Sequence, residues 1–136
     1  MTMKALTLWQ PWASLIVLRH KRFETRSWKM DGLIGERIAI HAAKRPSKDL
    51  DYELINELAK LALDPAHLPL SAVVGSGVIT AFFRTEAIAP NLPRPELVFG
   101  DYSPGRWAWR IKDVEALPEP VPARGRQGIW EWTPAK

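Results

Sequence analysis

The run from Ala72 to Glu86 is β-type throughout and is interrupted by Gly75 and Gly77. Glycine inside a strand marks a bulge, a sharp bend or a close approach of another backbone. A strand this long, bent in this way, belongs in a small closed sheet. With 136 residues, 46% of them hydrophobic, the chain holds one modest core, so residues 1–136 are expected to form a single domain. Two-lobed cofactor-binding folds are excluded. Gly75-Ser76-Gly77 lacks both the third glycine of a dinucleotide fingerprint and the Gly-Lys-Ser/Thr of a P-loop, and no cofactor is expected.

The other segments fit around that strand. Lys4 to Trp9 alternates as a first strand, and Pro11 follows where a helix can begin. Trp12, Leu15, Ile16 and Leu18 give that short helix an apolar face ending near His20. Phe23 to Trp28 reads as a second strand, with Glu24, Arg26 and Trp28 on one face. After an Asp31-Gly32 turn, Arg37 to Ala42 sets Ile38, Ile40 and Ala42 against Arg37 and His41, so His41 points away from the aliphatic core. Ser47 is a plausible N-cap for a second helix carrying Leu50, Leu54, Ile55, Leu58, Leu61 and Ala62, which ends before Pro65. The segment from Ala89 to Pro95 reads as loop, Arg106 to Leu117 as a strand and Gly128 to Trp132 as a last one. Five or six strands with two main flanking helices predict an α+β fold built on a small, partly closed β-barrel.

Composition removes several chemistries. No cysteine is present, which rules out disulfides, zinc ribbons, thiolate nucleophiles and iron–sulfur clusters. His20, His41 and His67 are scattered, so no metal site is expected. The longest aliphatic run near the N-terminus, Ala13 to Leu18, is too short for a membrane span or a secretory signal, and a cytoplasmic location is expected. Charge is uneven along the chain. Residues 1–48 carry ten basic and three acidic side chains, a balance of +7, whereas residues 49–99 carry three basic and seven acidic ones, a balance of −4. A basic face attracts phosphate backbones, although the same charges also serve simply to solvate a surface.

The chemistry-bearing cluster is Lys21-Arg22-Phe23-Glu24-Thr25-Arg26-Ser27-Trp28. Lys21 lies just before the strand face that carries Glu24 and Arg26, so a carboxylate would sit between two cations. Such a group can accept from an exocyclic amine or act as a base beside phosphate-binding cations. The structural alternative is a surface ion pair across a strand. Of the seven tryptophans, most belong to the core, and Trp28 is the one placed to stack on a base beside Arg26.

Three stretches carry a resemblance: Leu6 to Leu15 with its Gln10-Pro11-Trp12-Ala13, the spacing Lys21-x-x-Glu24-x-Arg26-Ser27-Trp28, and Arg37 to Pro46 with its His41-Ala42-Ala43-Lys44. Together they resemble the ASCH domain of the PUA-like superfamily, and looser similarity continues through Val74 to Val78, Phe99 to Trp109 and Gln127 to Trp130. Arg19 stands where the family pattern has glycine. The resemblance implies a PUA-like β-barrel with a basic cleft between barrel and helix that binds RNA or another nucleic acid. On that basis Lys21, Arg26, Lys44 and Arg45 would meet phosphates, Glu24 would read a base edge, and Trp28 or Tyr102 would stack. Trp12, Ser14, His41 and Arg106 complete the expected interface. Some relatives hydrolyse RNA or 4-acetylcytidine, which makes a hydrolase using Lys21, Glu24 and His41 the alternative; Thr25, on the opposite strand face, does not offer the lysine-activated threonine of the deacetylases. A third possibility is an interaction domain that works through the acidic helix at residues 48–63.

Overall fold

The computed structural model describes residues 2–134. The chain runs β1 (Met3–Leu8), α1 (Trp12–Val17), β2 (Phe23–Arg26), a 3-10 turn at Asp31–Leu33, β3 (Arg37–Ala42), α2 (Tyr52–Lys60), a 3-10 turn at Pro65–His67 and β4 (Ala72–Arg84). It continues with α3 (Thr85–Ile88), a 3-10 turn at Ala89–Asn91, α4 (Arg94–Val98), β5 (Trp107–Pro122) and β6 (Ile129–Trp132). The six strands form one mixed sheet in the order β2-β5-β4-β3-β1-β6. Among the described residues, only β1 and β3 pair in parallel. The other pairings are antiparallel.

The fold is α+β, as the sequence predicts, and the partly closed barrel it suggests is met only loosely, because the sheet is not closed. Its hydrogen-bonded ladder is open, with β2 and β6 as its two edges. It is nevertheless strongly curled. Strands β2 and β1 are four places apart, which in a flat sheet means about 19 Å, yet the Arg26 guanidinium on β2 donates to the Thr7 carbonyl on β1 at 2.8 Å. A side chain bridges the gap that a ladder would close.

The curl originates in the long strands. Register shifts break the β4–β5 ladder between Val73 and Gly75, between Ser76 and Val78, and between Ile79 and Ala81. Two of them involve the glycines noted in the sequence. A Cβ on Gly75 would lie 2.4 Å from the Glu115 carbonyl oxygen and 2.7 Å from Val17 Cγ1. One on Gly77 would lie 2.4 Å from Ile111 Cγ2. Both glycines are therefore close-approach positions, where β5 and α1 press on the bent strand.

The main core fills the concave side, with Leu6, Leu8, Ile38, Ile40, Ile79, Trp109 and Ile111 closed over by Ala13, Ile16 and Val17 of α1. A second cluster on the other face holds Ala5, Ala39, Val73 and Trp130. A third, formed by Leu15, Leu54, Leu58 and Phe99, docks α2 on α1. The sequence places the N-cap of α2 at Ser47. The structure puts it at Asp51, whose Oδ1 accepts from the Leu54 amide at 2.8 Å. Ser47 instead bonds the Asp49 amide in the preceding turn. The segment read as loop up to Pro95 contains the Ala89–Asn91 turn and the start of α4. Short helices begun by proline show no apolar period long enough to detect. No helix among the described residues is long and apolar enough to cross a membrane.

Candidate nucleic-acid interface

The end of α1 and the start of β2 deliver Lys21 and Glu24 to one place. The Lys21 amide donates to the Leu15 carbonyl at 3.0 Å, extending the helix-terminal hydrogen bonds and turning the chain into β2. Arg19 makes that turn with φ of 68°. This is the left-handed conformation that glycine adopts without strain, and it falls at the position where the family pattern has glycine and this chain does not. The Arg19 guanidinium bonds the Val114 carbonyl at 2.9 Å. Strand β2 is then fixed from the other side by Glu96 of α4. Its carboxylate accepts from the Arg22 amide at 3.0 Å and the Phe23 amide at 3.4 Å. Glu96 is 3% exposed, and nothing in the sequence pattern singles it out, because its partners lie more than 70 residues away.

The Lys21 side chain is 1% exposed, and its Nζ has no hydrogen-bond partner among the described residues. The nearest anion is Glu24 Oε1 at 3.9 Å, too far for a good hydrogen bond. Burial pulls the Lys21 ammonium below the ordinary lysine range, and the negative charges of Glu24 and Glu96 only partly offset it. Glu24 is held on its other oxygen by Arg26 Nε at 3.0 Å. A carboxylate oxygen and an unbonded ammonium therefore stand side by side on the wall of a pocket of about 290 Å³. Its remaining walls come from Trp9 and Trp12 at the β1–α1 junction, Leu54 of α2, and the Phe99–Asp101 turn after α4. Trp9 is 52% exposed.

This pocket is not basic. Besides Glu24 it is lined by Asp49, Asp51 and Asp101, with Lys21 its one cation. The Ser103 hydroxyl holds the Asp101 carboxyl below the usual carboxylate range. The four carboxylates do not converge, and no cluster of three or more His, Asp or Glu side chains able to hold a metal ion occurs among the described residues. The pocket offers acceptors to amine or ring N–H groups and, from Lys21, a charged donor to a carbonyl-type oxygen.

Several other expected residues lie elsewhere or are already engaged. Arg26 is committed to Glu24 and the Thr7 carbonyl, and Arg106 to Asp101 and the Thr25 carbonyl. Ser14 is buried, bonded to the Gln10 side chain at the start of α1. Trp28 stacks edge-on against Trp109, with ring centroids 4.9 Å apart, and its carbonyl accepts the Trp109 indole N–H. It is thus part of the core margin, not a free stacking platform. Tyr102 is folded beneath Gly100, and burial raises the pKa of its phenol. Thr25 does reach the pocket, contrary to the strand-face argument. It sits on an edge strand whose free side meets the Asp101 turn, and its hydroxyl accepts from the Asp101 amide at 3.0 Å.

His41 faces away from the main core, as its alternation with Ile38 and Ile40 predicts, yet it is 1% exposed because the second cluster covers it. Its Nε2 donates to the Ala123 carbonyl at 2.7 Å. That leaves Nδ1 to accept from the Thr7 hydroxyl at 3.1 Å, and Thr7 in turn accepts from the Trp130 indole. Both ring nitrogens are therefore used by the fold. His41 lies under a separate cavity of about 990 Å³, which Lys44 also lines. Arg45 is exposed beside it. The expected site thus separates into a pocket built on Lys21 and Glu24 and a cavity reached by His41 and Lys44. The signals missed in the sequence are Trp9, left exposed by a strand end, and the acids Asp49, Asp51 and Asp101, which only the tertiary fold brings to Lys21.

Comparison with known proteins agrees with this architecture. The family model of the ASCH domain matches residues 6–88. The crystal structure of ASCH from Zymomonas mobilis superposes with a TM-score of 0.54 at 17% identity, covering 88% of this chain and 72% of that one. A single-substitution variant of the same Zymomonas mobilis protein gives 0.53 at 16% identity, covering 88% and 74%. No curated protein matches the chain. The family model spans more than half of the sequence, over the segments that build β1, α1, β2, β3 and β4, and the chain belongs to the ASCH domain family.

Proposed function

We propose that the protein binds single-stranded RNA and holds one unstacked base in the pocket between Lys21, Glu24 and the Trp9–Trp12 corner. The observation that carries this reading is the buried Lys21 nitrogen with no partner. A desolvated ammonium is costly unless something bonds it, and an acceptor on a ligand is what its surroundings lack. A base edge that sets a carbonyl oxygen beside a ring N–H, as guanine and uracil do, satisfies Lys21 and Glu24 together. A volume near 290 Å³ lies at the lower end for small-molecule pockets and suits a single nucleoside rather than a duplex. Trp9 supplies an exposed aromatic face for stacking. Phosphates are repelled by the pocket's carboxylates and fall outside it, where Lys44 and Arg45 lie.

Calorimetric titration with nucleosides and short single-stranded oligoribonucleotides tests the reading. Binding of guanosine or uridine should exceed that of cytidine, whose edge sets no ring N–H beside its carbonyl oxygen, and Glu24→Gln should narrow that preference. Equal binding of all nucleosides, or none by any oligomer at low salt, would overturn it.

A second reading, hydrolysis of RNA or of an acylated nucleoside such as 4-acetylcytidine, rests on one observation: Lys21, with its lowered pKa, shares a pocket wall with Glu24 and the Thr25 hydroxyl. Lysines so shifted serve as bases. Turnover that rises with pH and disappears in Lys21→Met would support it, and intact substrate after prolonged incubation would exclude it.

A further inference from the structure

The cavity above His41 lies between the chain leaving β3 at Ala43–Lys44 and the loop joining β5 to β6. Its charge is the reverse of the pocket's. Lys44, Arg124 and Arg126 line it, and no acidic residue does. Among the described residues, seven cations elsewhere are held by ion pairs: Lys4 with Glu36, Arg22 with Glu96, Arg26 with Glu24, Lys29 with Asp31, Lys60 with Glu57, Arg94 with Glu53 and Arg106 with Asp101. Lys44, Arg45, Arg124 and Arg126 are exposed and make no ion pair among the described residues. Three of these four line one cavity that carries no acid to offset them.

The backbone that presents these side chains is fixed. The His41 ring bonds the Ala123 carbonyl at 2.7 Å, the Ala123 amide bonds the Ser71 carbonyl at 3.0 Å, and the Ser71 amide bonds the Ala43 carbonyl at 3.1 Å. The two banks of the cavity are thus tied together. Gly125 lies so close to His41 that a Cβ there would be 2.5 Å from the ring. Arg124 and Arg126 flank this glycine on a loop seated against a buried ring, and Lys44 faces them from the other bank. Three cations around one concave surface, with their carrier segments pinned, match a chain of phosphodiesters better than a lone anion.

The cavity is also continuous in sequence with the pocket. At the end of β1, Thr7 lines the cavity, while Leu8 and, just past the strand, Trp9 line the pocket. After β3, Ala43 and Lys44 line the cavity, and Asp49 and Asp51 the pocket. Resting on the RNA-binding reading above, we infer that the Lys44–Arg124–Arg126 cavity is the phosphodiester-binding subsite of the strand whose base enters the Lys21–Glu24 pocket. Sugar-phosphate contacts would then come from the β5–β6 loop, and base recognition from the β2 edge.

Fluorescence anisotropy with a labelled single-stranded oligoribonucleotide across a salt series tests this, using wild-type protein and the Arg124→Gln, Arg126→Gln double variant. Both arginines are exposed, so the variant keeps the fold. For single strands each phosphate contact contributes about 0.7 to the slope of log K against log salt. The double variant should therefore lose about 1.4 from the slope, while calorimetric binding of the free nucleoside stays at the wild-type value. An unchanged slope with oligomer and nucleoside both still bound would overturn the subsite and leave the pocket reading standing. Loss of nucleoside binding in wild type would overturn the pocket reading itself. Titration with inorganic phosphate separates the sources of the anion: if phosphate alone fills the cavity and abolishes no oligomer binding, the site takes a free anion and the inference fails.

Discussion

Lys21 is buried at a cost in stability. Its ordinary pKa of 10.5 is lowered in the folded protein by burial. Between the lowered value and 10.5 the unfolded chain binds more protons than the folded one, so this group's contribution to stability rises with pH across that window and is least favourable below it. Replacing the lysine with an apolar side chain of similar length removes the buried charge, and Glu24 keeps its bond to Arg26. Lys21→Met should therefore melt no lower than wild type at neutral pH, and up to about 3 kcal/mol more stable, with the gap narrowing as pH climbs toward the ordinary lysine range. A clear fall in melting temperature at neutral pH would contradict this. Arg19 permits a second test. Both Arg19→Ala and Arg19→Gly lose the bond to the Val114 carbonyl, so the difference between them isolates the cost of φ at 68°. The glycine variant should be the more stable by about 1 kcal/mol in urea denaturation. The Lys-x-x-Glu-x-Arg grouping is legible in the sequence because all three lie within one turn and one strand. Trp28 is misread because strand alternation gives its face but not the Trp109 edge waiting against it.

At the level of elements, β2 has four residues and one ladder neighbour, and it keeps its place through Glu96. Removing that carboxylate leaves two backbone N–H groups without acceptors and Arg22 without its partner. Glu96→Ala should cost about 2–4 kcal/mol and weaken nucleoside binding more than a distant destabilising change does. Chemical denaturation and calorimetry on the same sample separate the two effects. Strand β4 depends on its glycines in the opposite sense. Gly75→Ala inserts a methyl where the Glu115 carbonyl and Val17 already stand, and overpacking of this kind costs about 1–3 kcal/mol. Full stability in that variant would mean that the bulge is not held by close packing. The bend at Gly75 and Gly77 is readable because a glycine weakens a β-type run unless a bulge or a close neighbour requires it. Helix α4 is not, since five residues begun beside a proline carry no periodic signal, and the carboxylate that matters there acts through tertiary contact.

Taken as a whole, the molecule is an open sheet rolled until β2 and β1, four places apart in the sheet, meet through the Arg26 side chain. Alternation along each strand shows which residues face inward, but not whether the outermost strands hydrogen-bond, and that is why the barrel expectation overshoots. Charge is legible in amount and not in place. The basic N-terminal third predicts a basic cleft, yet the turn leading into α2 and the Phe99–Asp101 turn carry acids onto its pocket, and Lys44 lines a separate cavity with two arginines from residues 124–126. If the acid-lined pocket takes a base and the cationic cavity the backbone, as proposed, recognition and electrostatic attachment are divided and should respond differently to salt. The most direct measurement is the affinity of wild type and Lys21→Met for one single-stranded oligoribonucleotide over a salt series. The account predicts that the variant binds at least about tenfold more weakly at every salt concentration, with a slope equal to that of wild type, because Lys21 meets a base and not a phosphate. A folded Lys21→Met protein that binds as tightly as wild type would contradict it.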